Sequence, residues 1–117
     1  MVGFGDYIRK AREALAEADP RFSLRQVAQR IEVEPAYLSK VERGLVPPPS
    51  EATIARLAAD LGEDVDMLLA MAGKVSSDLQ QIILRRPKQF AELIRQLKDA
   101  PNHAIVKVVR EVRDGKW

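Results

Sequence analysis

The chain has 117 residues, 46% hydrophobic and 31% charged, a balance that supports one packed core and excludes both global disorder and two independent catalytic domains. With no cysteine and a single histidine, His103, it lacks disulfides, thiolate metal sites and a pair of imidazoles to share a metal, so neither metal nor cofactor is expected. The net charge of +2 is too small to mark a nucleic-acid partner by itself, and no run approaches the roughly 20 apolar residues of a membrane span.

Residues 1–49 carry eight basic and seven acidic side chains, residues 50–75 two and five, and residues 76–117 nine and five. A basic surface must therefore be made by placement. The opening MVGFGDYIRK has no apolar leader, which makes a cytoplasmic protein the expectation. Met1 reads as a start residue, and Met67 and Met71 as core filler.

Apolar residues recur at helical spacing throughout, and no segment alternates as a half-buried strand does, so the fold class is all-α. Phe4, Ile8, Ala11 and Leu15 line a first helix that ends before Asp19-Pro20. Ser23 caps a second, with Val27, Ala28 and Ile31 facing inward. Pro35 opens a third, where its missing amide is tolerated, Leu38 and Val41 face the core, and Gly44 stops it.

Val46-Pro47-Pro48-Pro49 reads as a stiff connector. Ser50 caps a fourth helix with an apolar stripe of Ile54, Leu57, Ala58 and Leu61, closed by Gly62. Val65, Leu68, Leu69 and Ala72 make a fifth, closed by Gly73, with Asp64 and Asp66 at its start where acids favour the helix dipole. Three further segments follow, punctuated by Pro87 and Pro101. They carry Leu79, Ile82 and Ile83; Phe90, Leu93, Ile94 and Leu97; and Ile105, Val108, Val109 and Val112. The chain divides into residues 1–75 and 76–117.

Residues 24–43, LRQVAQRIEVEPAYLSKVER, have the form of two short helices joined by a tight turn. Val27, Ile31, Val33, Leu38 and Val41 pack between the helices, and Ala28 is the small residue their close approach needs. The opposite face of the second helix carries Glu34, Pro35, Ala36, Ser39, Lys40 and Arg43, a polar or small surface suited to base edges.

The stretch PAYLSKVERG at 35–44, followed by ATIARLAADLG and DVDMLL, resembles the XRE-type, or phage-repressor-like, helix-turn-helix transcriptional regulators over about residues 4–72. The resemblance implies a five-helix domain whose third helix reads the major groove of duplex DNA, and a buried ion pair between Arg12 and Glu42. Several positions depart from the family pattern, among them Leu45 and Val46, which replace the basic or polar residues often found after the glycine. Glu32 occupies a turn site where glycine is common, and Leu24 one where many members have a glutamine that braces a phosphate. The helix-one to helix-two loop, ALAEADPRF, also looks several residues long.

On this reading Ser23, Arg25 and Gln26 hold phosphates. Pro35, Ala36, Ser39 and Lys40 face the groove, with Lys40 suited to guanine acceptors and Ala36 to a thymine methyl. Glu34 accepts from cytosine, excludes wrong sequences or merely caps the helix. Tyr37 and Arg43 flank the groove, although Tyr37 fits a packing role equally well.

The three C-terminal helices are expected to mediate homodimerisation through the apolar residues named above, matching half-sites about one helical turn apart. No nucleophile-and-base, paired-carboxylate or phosphate-cradling pattern appears, so an enzyme is not expected. The alternative is an antitoxin or interaction module that binds a toxin or other protein through these helices and autoregulates its gene.

Overall fold

The computed structural model describes residues 3–115, so Met1 lies outside it. Among the described residues the chain forms eight α-helices and no strand: α1 (Phe4–Ala16), α2 (Leu24–Arg30), α3 (Pro35–Glu42), α4 (Glu51–Leu61), α5 (Val65–Met71), α6 (Ser77–Arg85), α7 (Pro87–Leu97) and α8 (Asn102–Arg113). The chain divides into two compact units between Ser76 and Ser77. No helix is long and apolar enough to cross a membrane.

Local chemistry sets most boundaries in the first unit. Ser23 accepts from the Gln26 amide at 3.3 Å, Ser50 from the Thr53 amide at 3.3 Å, and Asp64 from the amides of Asp66 and Met67 at 2.8 and 3.2 Å. Each side chain thereby satisfies amides that a helix start leaves unpaired. Gly62 closes α4 in the left-handed conformation that a Cβ disfavours, with φ 71°.

The α1–α2 connection differs from the simple loop expected there. Helix α1 runs through Ala14, Leu15 and Ala16, and a single 3-10 turn, Pro20–Phe22, follows. Asp19 caps that turn by accepting from the Arg21 amide at 2.9 Å, and its carboxylate also accepts from the Arg21 guanidinium. Those bonds hold the Asp19 carboxyl below its ordinary pKa.

The core gathers one face of each of the first five helices: Phe4 and Ile8; Val27, Ala28 and Ile31; Leu38 and Val41; Ile54, Leu57, Ala58 and Leu61; Leu68 and Leu69. Ala11, Leu15, Leu24, Phe22 and Val33 pack half-buried against it. Leu24 is thus a packing residue at the first position of α2.

Two polar ties lock the periphery. Tyr7 donates its hydroxyl to Glu63 at 3.0 Å, joining α1 to the α4–α5 turn, and the carboxylate raises the pKa of the phenol. Lys74 donates to the Pro49 carbonyl at 2.9 Å, which joins the end of α5 to the proline connector.

Helices α1 and α3 approach closely at Gly5. A Cβ built there would collide with the Val41 carbonyl oxygen and lie 2.8 Å from that of Glu42, both backbone atoms at the end of α3. Glycine is required because α1 rests directly on those carbonyls. At Gly3 an added Cβ meets nothing within 4 Å. Gly5→Ala is therefore expected to destabilise the protein by about 1–3 kcal/mol through overpacking, whereas Gly3→Ala leaves stability nearly unchanged. Urea denaturation of the two variants, followed by far-UV circular dichroism, compares them directly.

Candidate nucleic-acid interface

Helices α2 and α3 meet through Val27, Ala28, Ile31, Leu38 and Val41, each no more than 2% exposed. Complete burial of Ala28 confirms the close approach expected from its small side chain. The turn between them is closed by the Val33 amide donating to the Ala28 carbonyl at 2.9 Å, and Glu32 adopts φ 63° to make it. A non-glycine residue in the left-handed region costs about 1 kcal/mol. Arg56 steadies the same turn, donating to the Ile31 carbonyl at 3.1 Å with its guanidinium 3.9 Å from the Glu32 carboxylate.

The orientation of α3 is fixed from behind by charge. Arg12 on α1 makes a two-point contact with Glu42, Nε to Oε2 at 2.7 Å and Nη2 to Oε1 at 2.9 Å, and its Nη1 donates to the Phe22 carbonyl at 3.2 Å. Only 11% of the Arg12 side chain and 5% of that of Glu42 reach solvent. The paired carboxylate raises the Arg12 pKa above its already high value, so the guanidinium stays charged at any ordinary pH.

With Leu38, Val41 and Glu42 turned inward, α3 presents Ala36, Tyr37, Lys40 and Arg43 outward, with Pro35 and Ser39 half-exposed beside them. Arg43 folds back so that its Nε donates to the Ser39 carbonyl at 3.3 Å. Glu34 stands at the N-cap position of α3 but makes no side-chain cap, which leaves its carboxylate exposed. Tyr37, at 36% exposure, sits on the outer face rather than in the core. On α2, Arg25 and Gln26 are exposed in the first turn, while the Ser23 hydroxyl is engaged as the cap.

The sequence reading assigns no role to Arg21, Arg30 and Arg56, and the structure gives each one. Arg30 is held by Asp60 of α4 through bonds of 2.6 and 3.0 Å and lies 5.1 Å from the Phe22 ring centroid. Arg21 is held by Asp19, and Arg56 by backbone and Glu32. Among the described residues Arg25 and Lys40 make no such bond, and both are exposed on the α2–α3 surface. The Arg30–Asp60 tie and Gly5 escaped the sequence reading. An isolated glycine one turn into an amphipathic helix is the signal that could have revealed the latter.

Two helices crossing over a tight turn, the second with an outward polar face and a rigid back, define a helix-turn-helix. Residues 4–71 match the family described as "Helix-turn-helix domain", and the chain belongs to that family. No curated protein and no solved structure matches it.

Because Arg12 and Glu42 are buried together, removing either strands its partner. Arg12→Met and Glu42→Leu should each cost about 3–5 kcal/mol, whereas the two together should recover most of that loss. A double-mutant cycle on urea midpoints measures the coupling.

Proposed function

We propose that this protein is a sequence-specific duplex-DNA-binding transcriptional regulator, a repressor of the XRE type, that reads the major groove with α3. The observation that carries the reading is the outward face of α3: small Ala36 and cationic Lys40 side by side, on a helix whose back is locked by Arg12 and Glu42. A lysine suits the paired acceptors of guanine, and an alanine methyl packs on that of thymine. Arg25, Gln26, Tyr37 and Arg43 flank this face and are assigned to the phosphate backbone, with Pro35 and Ser39 near the groove floor.

The protein acts in the cytoplasm as a homodimer through its C-terminal helices, so that two copies of α3 meet half-sites about one helical turn apart. It needs no cofactor and is not an enzyme. The exposed apolar faces of α6–α8 also favour a second reading, in which a toxin or other protein docks there and DNA binding serves autoregulation.

The test is binding to the DNA upstream of its own gene against a scrambled duplex, across a salt series, by fluorescence anisotropy. Lys40→Ala should cost about 1–3 kcal/mol and relax preference at one base position, while Arg25→Ala should weaken binding to all sequences alike and lower the salt slope by about one. Equal affinity of the wild type for both duplexes at moderate salt would overturn sequence reading at that site.

A further inference from the structure

Backbone strain in this chain is concentrated in the turn between α2 and α3. Among the described residues Glu32 is the one non-glycine with a positive φ, a conformation that glycine adopts freely and a side chain resists. The turn closes through a single backbone bond, from the Val33 amide to the Ala28 carbonyl at 2.9 Å. Glu34 and Pro35 follow at once, so the conformation of Glu32 sets the direction in which α3 departs.

The strained residue is held by a side chain from outside the helix pair. Arg56, on α4, donates through Nε to the Ile31 carbonyl at 3.1 Å. That oxygen belongs to the peptide plane between Ile31 and Glu32, the plane about which the φ of Glu32 turns, so fixing the oxygen fixes the angle. Ile31 is also the C-cap of α2, where carbonyls lack partners within the helix and a cation meets the negative end of its dipole. The Glu32 carboxylate, 3.9 Å from the guanidinium, adds little, because 42% of the Arg56 side chain and 75% of that of Glu32 are exposed. Arg56 is itself braced. Its Nη2 donates to Thr53 Oγ1 at 3.2 Å, and the same oxygen accepts from the hydroxyl of Ser50, the cap of α4.

We infer that Arg56 is a positioning residue for DNA reading: it clamps the strained turn at the start of α3, as Arg12 grips Glu42 at the helix's other end. This rests on the proposed DNA-binding function, but the state of the turn is measurable without DNA. The clamp also explains how a side chain is accommodated at residue 32. Glycine there would hold the same angle unaided, so the need for Arg56 is conditional on Glu32.

The experiment uses the full chain as wild type, Arg56→Ala, Glu32→Gly and the double variant. Without DNA, amide exchange at Val33 is followed by NMR. Arg56→Ala should speed it about tenfold, while buried amides of α1 and α4 keep their protection. In the Glu32→Gly background the same change should alter it by less than about threefold. With DNA, Arg56→Ala should lower the preference for the upstream duplex over a scrambled one by about three- to tenfold at an unchanged salt slope, and the double variant should recover it. Unchanged Val33 exchange in Arg56→Ala would overturn the inference whether or not the protein reads DNA. So would an equal loss on both duplexes with the salt slope lowered by about one, which would make Arg56 a phosphate contact. Equal wild-type affinity for the two duplexes would instead overturn DNA reading itself, and Val33 exchange would still decide whether Arg56 clamps the turn.

Discussion

The two-point contact between Arg12 and Glu42 is the constraint on which the outward face of α3 depends. Apolar packing of Leu38 and Val41 sets how deep the helix sits, but greasy contacts tolerate sliding and rotation. A guanidinium fork gripping a carboxylate does not, because both bonds must keep their length and plane. Glu42 follows Val41 by one residue, so fixing it fixes the rotation of the helix. A turn of one residue, about 100°, would carry Lys40 toward the core and Glu42 into water. The third bond, from Arg12 to the Phe22 carbonyl, extends the same anchor to the entry of α2. One side chain thus sets α1, α2 and α3 relative to one another, and Gly5 lets α1 come near enough for it to do so.

The two units are stabilised in different ways. In the first, thirteen apolar side chains are buried in one cluster, and the ties Tyr7–Glu63, Arg30–Asp60 and Lys74–Pro49 close its edges. In the second, amphipathic helices of similar length leave their stripes half-covered. Helix propensity and periodicity are alike in both. What differs is the number of faces that converge on one centre.

That difference marks the limit of what the sequence discloses. Capping chemistry is local, so Ser23, Ser50 and Asp64 announce the starts of α2, α4 and α5, and the inward faces follow from a 3.6-residue period. The left-handed turn at Glu32 was legible only through the family resemblance, which sets it at a site where glycine is common. The 3-10 turn at Pro20–Phe22 was not, because its cap depends on how Asp19 folds over Arg21. Nor was the tie at Arg30, five residues from Arg25 on the same helix, because it depends on the position of Asp60 on α4. The stripes of α6–α8 were readable as helix faces, but their degree of burial depends on neighbours that no periodicity specifies.

The internal commitment of so many arginines has a consequence for how a duplex-reading unit searches. Attraction to any DNA grows with the number of phosphates a protein neutralises, whatever the sequence. Arg12, Arg21, Arg30 and Arg56 face carboxylates and carbonyls of their own chain, and Arg25 and Lys40 extend outward from α2 and α3. On the proposed function, such a unit would hold bulk DNA lightly. Its contrast between a chosen site and the rest of a chromosome would then come from base edges, with many brief visits in place of long one-dimensional sliding.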